Sequence, residues 1–328
     1  MQVRLPTSCQ SLLLLGLHTS FQLINWKTRQ RTNVQMVSDE EEELWNGVVG
    51  VVFLTQRHFL VLKTHSLEVC TLFDDSQKTK LPVQMSAVVH THFFPNTTFG
   101  GVSFSRPIIQ PPSPADTGGD EITQASLSFL AYDVLRGLFH CHVDITIPTP
   151  SGTHKASPPL EVQVHLLAAH NMATPFPRSG FSRGARGFVL SCALGPTGQR
   201  GVWIERRRGE VRRVVYGFAA PAVPEGDEEV VGVALADGPN PEGIQPGTAI
   251  SVINSELGPD DTHSSWISPP PRAIEGKEMY EVNSYDLRDD ITHIALSETT
   301  GIIALGTRKG DIRVLGPVGI LGVRRNGV

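Results

Sequence analysis

The sequence predicts an all-β chain, folded as a β-propeller-like domain of about five or six blades, and three observations predict it. Gly and Pro number 31 and 24 in 328 residues, which marks many turns rather than long helices. No segment sustains apolar residues at i, i+3, i+4 and i+7, the pattern of an amphipathic helix. Paired apolar runs joined by short turns recur five times along the chain, which is the form of a repeated β-hairpin.

The five hairpins lie near 11–26, 58–73, 126–145, 200–218 and 301–315. In the last, Ile302-Ile303-Ala304-Leu305-Gly306 leads through Lys309-Gly310-Asp311 to Ile312-Arg313-Val314-Leu315, and Gly supplies the positive φ that such a turn needs. Four hairpins have an apolar strand in front: Val48–Leu54, Phe99–Ser105, Gly187–Leu194 and Ile291–Ser297. Hairpin starts are 47, 68, 74 and 101 residues apart, and loop-like stretches fill the excess over a blade-sized period. The loops at 110–120, 149–159 and 255–271 are expected to be disordered, and the longest interval has room for one more unit around Val230–Leu257. Two β-sandwich domains would show shorter, more even spacing, so residues 1–328 read as a single propeller-like domain, incomplete at its N-terminus.

Composition excludes several classes. Hydrophobic residues make up 40% and charged residues 19%, enough apolar matter for a core and too little charge for general disorder. A net charge of −5 does not point to nucleic acid or an anionic membrane. Cys9, Cys70, Cys141 and Cys192 stand far apart without a CxxC pair, so reduced, buried thiols are expected rather than a zinc ribbon. Arg4 and the run Ser11–Leu17 resemble the start of a secretory signal. No small-x-small cleavage site follows, and a strand hairpin accounts for this run and for Phe21–Trp26 together. No stretch has the length of a membrane-spanning helix. The sequon Asn96-Thr97-Thr98 matters only in a secreted chain.

Asp289–Gly301, continuing to Leu315, resembles a divergent WD-repeat-like blade without the closing Trp-Asp. Ser191–Arg207, with Leu14–Trp26 and Leu130-Ala131-Tyr132-Asp133-Val134, resembles the C-terminal region of F-box proteins from mushroom-forming fungi. That resemblance covers most of 11–315 in scattered blocks. It implies a propeller that presents a protein target to a Skp–cullin–F-box ubiquitin ligase. The F-box is a helical module beginning near Leu-Pro and ending past a Trp. Here Leu5-Pro6 and Trp26 are only 21 positions apart, measured from Leu5, and Phe21–Trp26 reads as strand. The F-box itself is therefore expected to be absent, and the Skp adaptor is a partner only if an F-box lies upstream.

The densest charge feature sets Arg178, Arg183, Arg186, Arg200, Arg206, Arg207, Arg208, Arg212 and Arg213 against Glu205 and Glu210. Arg206, Arg207, Arg208, Arg212 and Arg213 are expected around one hairpin tip. There they would grip an acidic peptide, a phosphate or a nucleic-acid backbone, or form an ordinary solvated hairpin end partly paired to Glu205 and Glu210. His90/His92 and His140/His142 have the i, i+2 spacing that shares one strand face. No third ligand is identifiable, and exposed strand histidines are expected. Asp39–Glu43 reads as a solvated acidic loop, and Trp45 as buried at a blade edge or as a partner anchor. GxSxG, HExxH, P-loop and GxGxxG motifs are absent.

The expected function is a non-enzymatic protein-interaction scaffold, cytoplasmic or nuclear, with no cofactor, no metal and no membrane partner. The alternative is a secreted or enzymatic propeller that binds a small molecule or glycan.

Overall fold

The computed structural model describes residues 3–4, 12–17, 20–25, 27, 29–36, 45–55, 57–73, 83–110, 122–133, 136–148, 160–172, 187–207, 209–220, 272–283, 285–286, 290–316 and 319–324. The regular elements among them are all strands. The loop expectations at 111–120, 149–159 and 255–271, and the extra unit at 230–257, lie outside the described residues. Gln110, placed in the first of those loops by sequence, is the last residue of a strand.

The strands fall into five antiparallel meanders. The first is β2 (Leu12–Leu17), β3 (Ser20–Asn25) and β4 (Gln30–Met36). The second is β5 (Val48–Phe53), β6 (His58–Lys63), β7 (Ser66–Phe73) and β8 (Val83–Phe93), with β1 (Val3–Arg4) parallel on β5. A parallel pairing of β4 with β8 joins these two into one eight-stranded sheet. In the third, β9 (Phe99–Phe104) and β10 (Ile108–Gln110) pair different stretches of β11 (Ile122–Asp133). β12 (Gly137–Pro148), β13 (Glu161–Asn171) and the short β17 (Arg272–Ala273) complete that sheet. The fourth is β14 (Gly187–Leu194), β15 (Arg200–Arg207), β16 (Arg212–Ala219) and β18 (Lys277–Asn283). The fifth is β19 (Ile291–Ser297), β20 (Ile302–Thr307), β21 (Ile312–Gly316) and β22 (Gly319–Arg324).

Blade logic shows in the way each middle sheet uses both faces. On β15, Val202 and Ile204 pack with Ile291, Ile303 and Leu305 of the fifth meander. Trp203 points the other way, to Leu130, Leu138 and Met172 of the third. Strand alternation puts neighbouring residues on opposite faces, so a strand buried on both sides reads as a continuous apolar run. Between the second and third meanders the same arrangement collects Leu60, Leu62, Phe104, Phe129, Cys141 and Ile145. Free Cys70, Cys141 and Cys192 are all buried, Cys141 and Cys192 within these interfaces, and Cys9 lies outside the described residues.

A repeated irregularity accompanies the repeated strands. The first strand of the second to fifth meanders carries one extra residue: Val49, Gly100, Leu190 and Thr292. Each of these bulges is followed by an unbroken ladder to the strand end. The fourth strand of the same meanders carries another, at Val89, Leu167, Met279 and Leu321. A bulge leaves its extra residue out of the ladder and sharpens the local twist. This accounts for Val89, Leu167 and Met279 standing among the exposed large hydrophobic side chains.

Candidate functional site

Strand alternation divides the arginine hairpin. Arg206 and Arg213 are cross-strand partners on the face turned to the fifth meander. Arg207, two residues beyond Glu205, lies on the face turned to the third. A single tip bearing all five guanidinium groups is therefore not what forms.

Arg213 leaves the surface set altogether. It is buried, donating through Nε to Asp290 Oδ1 at 2.7 Å and through Nη1 to the Val211 carbonyl at 3.1 Å. Burial of such a charge demands a partner, and Asp290 is one that no local motif signalled. Arg212 donates to Glu281 Oε2 at 3.1 Å and lies 3.7 Å from Glu210 Oε2. Arg206 donates to the Glu210 carbonyl at 3.4 Å. Arg208 and the arginines at 178, 183 and 186 lie outside the described residues.

Arg207 is different, because its half-exposed side chain borders a cleft of about 440 Å³ between the third and fourth meanders. Met172, Ile274, Trp203 and Tyr216 form much of its wall. Trp203 and Tyr216 stack with ring centroids 5.2 Å apart at 23°. Gly276 lies against the indole so closely that an added Cβ would come within 2.2 Å of Trp203 Cη2. The polar end holds Glu205, whose largely buried carboxylate is 3.3 Å from His170 Nε2 and 3.8 Å from Arg207 Nε. Tyr216 raises the Arg207 pKa, through charge and then through a hydrogen bond. Burial raises that of Tyr216, with Glu205 adding to it. The Trp203 Nε1 hydrogen has no acceptor among the described residues, although the residue is fully buried.

The cleft thus combines a largely buried apolar wall with the Arg207–Glu205 pair at its mouth. Of its residues, the sequence marks Arg207 as a binding candidate and Glu205 as an acid beside it. Trp203 and Glu205 are two apart on β15 and so share a face, which was readable, but His170 on β13 and Met172 and Ile274, which follow β13 and β17, carried no signal. A second cleft, of about 260 Å³, runs along the polar face of the third sheet between Gln124, Ser126, Asp144, Glu161 and Gln163.

The histidine pairs correct an expectation. His140 is not an exposed strand histidine: it is 2% exposed, against the Phe218 ring, and its Nε2 has no hydrogen-bond partner among the described residues. Burial, then the neighbouring His142, pushes its pKa down to about 4. His142 is partly exposed, 3.1 Å from Ser128 Oγ through Nδ1 and 3.3 Å from Asp144 through Nε2. Burial also lowers the pKa of His90 and His92. No group of three metal-ligating side chains is found among the described residues. Trp45 is likewise not buried at a blade edge, being 80% exposed. The acidic run at 39–43 lies outside the described residues. No helix among the described residues is long and apolar enough to cross a membrane.

No family model matches the chain, and no curated protein matches it. Among solved structures it is similar to the β-propeller domain of Cps50 (Swd1) from Myceliophteria thermophila, at 10% identity and a TM-score of 0.41, covering 98% of this chain and 71% of that one. A Dos1 propeller is 8% identical, with a TM-score of 0.41 and coverage of 99% and 72%. Hydrazine synthase of Kuenenia stuttgartiensis is 10% identical, with a TM-score of 0.38 and coverage of 97% and 83%. Likenesses this low add nothing to the blade description, which stands on strand pairing and on the two-faced burial of the middle sheets.

Proposed function

We propose that this chain is a non-enzymatic protein-interaction scaffold that captures an acidic protein segment at the Arg207 cleft. The observation that carries the reading is the half-exposed Arg207 guanidinium at the mouth of an apolar cleft. Arg212 and Arg213 are each engaged by carboxylates, and Arg207, although 3.8 Å from Glu205, keeps half of its side chain exposed. An arginine presents several donors in a planar fork suited to carboxylates. The test is binding of a fluorescein-labelled Asp/Glu-rich peptide over a range of salt concentrations. Arg207→Ser should weaken binding and flatten its salt dependence, because a screened charge contact is removed. Unchanged affinity and slope would return Arg207 to an ordinary solvated side chain.

The resemblance to fungal F-box proteins extends this reading to the target-recognition part of a ubiquitin-ligase receptor. Residues 12–17 and 20–25, in the stretch where a helical F-box would be sought, pair as β2 and β3. The chain is accordingly proposed to hold a target without itself recruiting the Skp adaptor. Robust one-to-one capture of purified adaptor by residues 1–328 would contradict that division of labour.

A further inference from the structure

We infer that the His170–Glu205–Arg207 chain is a proton-operated control on the Arg207 site, in which a proton taken up by His170 offsets Glu205 and leaves the Arg207 charge to attract an acidic partner. The inference concerns the regulation of that site and rests on the acidic-partner reading above.

One carboxylate lies between two nitrogens. His170 on β13 stands 3.3 Å from Glu205 Oε2 through Nε2, and Arg207 Nε stands 3.8 Å from Glu205 Oε1. An ionised carboxylate only accepts, so His170 Nε2 carries the hydrogen of its contact and an incoming proton goes to Nδ1. The contact therefore survives the change of charge without rearrangement.

The charges at the mouth then sum differently in the two states. With His170 neutral, Glu205 and Arg207 cancel. With His170 protonated, the three groups carry one net positive charge. The Glu205 side chain is only 8% exposed, so its field on Arg207 is screened less than that of a surface carboxylate. Offsetting it therefore changes what Arg207 presents to solvent. A hydrogen bond with Tyr216 holds the guanidinium at the mouth in both states.

Histidine is the side chain that ordinarily changes charge between about pH 5 and 8. The other charged groups on the elements packed here keep theirs over that range. They are Glu210 in the β15–β16 turn, Glu275 between β17 and β18, Glu278 across from Tyr216, Arg136 in the β11–β12 turn and Arg272 on β17. His140, on the same sheet face as His170, stays neutral because burial holds its pKa down to about 4. Among the described groups at this site, His170 is thus the one that switches.

The experiment measures binding of a rhodamine-labelled Asp/Glu-rich peptide to the full chain at about pH 8 and about pH 6, at one low salt concentration, where the peptide stays ionised. Affinity should rise about threefold to tenfold at the lower pH, the effect of one added charge near the ligand. His170→Gln keeps a side-chain donor for Glu205 and cannot take up a proton. It should bind as the original chain does at about pH 8 and lose most of the rise. Without peptide, the Arg207 Nε–H signal in a proton–nitrogen NMR spectrum should move between the two pH values in the original chain and stay still in His170→Gln. An equal rise in folded His170→Gln would overturn the control and leave the acidic-partner reading standing. Failure of the peptide to bind at either pH, with the Arg207 signal still following pH, would overturn the acidic-partner reading and with it the regulatory role, leaving the proton-linked pairing itself. An Arg207 signal that ignores pH in the original chain would overturn the control without any variant, so the inference is decided even if His170→Gln fails to fold.

Discussion

Arg213 on β16 and Asp290, the residue before β19, form a buried ion pair at 2.7 Å that fastens the fourth meander to the fifth. Arg213 and Asp290 are 1% and 6% exposed. Asp290→Ala leaves a guanidinium in the interior without its carboxylate, which costs about 3–5 kcal/mol. Chemical denaturation should show that loss. The double variant Arg213→Met with Asp290→Ala should recover much of it, because no buried charge then remains unpaired. Equal stabilities for Asp290→Ala and the original chain would mean that Arg213 has another adequate acceptor.

Acid should unfold the chain partly through His140. Its pKa is pushed down to about 4 from an ordinary 6.5 by burial, and further by His142. The unfolded chain therefore takes up this proton more readily than the folded one. Stability from the neutral ring is complete above about pH 6.5 and is lost as pH falls toward about 4, on the order of 3 kcal/mol in all. His140→Phe should flatten the denaturation midpoint over that window. An identical acid slope in the variant would assign the effect to other groups.

The cysteines should be silent until the fold opens. Burial raises the Cys70 and Cys192 thiols to about 12 and also raises that of Cys141, so the reactive thiolate is scarce near neutrality. In a Cys9→Ser variant, a colorimetric thiol reagent should register almost nothing in buffer and three thiols in denaturant. Rapid labelling in buffer would show that one of these interfaces opens readily.

Glu298 should control the turn between β14 and β15. Its carboxylate accepts from the Thr197 amide at 2.8 Å, the Thr197 hydroxyl at 2.5 Å and the Arg200 amide at 3.1 Å. Glu298→Ala removes all three and should cost about 1–3 kcal/mol. Hydrogen exchange at Thr197 and Arg200 should accelerate more than at the β16 amides. Uniform acceleration across the chain would point to a global loss instead of a local release.

The hairpins were legible because their apolar runs are short and joined by brief turns, some with glycine, as in Ile302–Leu315, which became β20 and β21. The bulges were not. An extra residue such as Thr292 breaks the two-residue period without changing composition, so the sequence shows only an irregular strand. The fate of the arginines was half legible. Alternation alone separates Arg206 from Arg207, but the buried partner of Arg213 stands 77 positions away. The cleft was the least legible feature, since His170 and Glu205 meet across two meanders and His170 belongs to no local motif.

The bulges in the fourth strands bear on the solubility of the molecule. β18 and β22 end their sheets among the described residues, and a flat terminal strand is a template for another chain to join into fibrils. Met279 and Leu321 interrupt the even spacing of donors and acceptors that an incoming strand would need. On β18 the exposed Lys277, Glu278 and Glu281 place charge beside that interruption. An extra residue that looks like an imperfection in the ladder thus makes β18 a poorer template for polymerisation, and deleting Met279 would leave the charges of Lys277, Glu278 and Glu281 as the remaining obstacle at that margin.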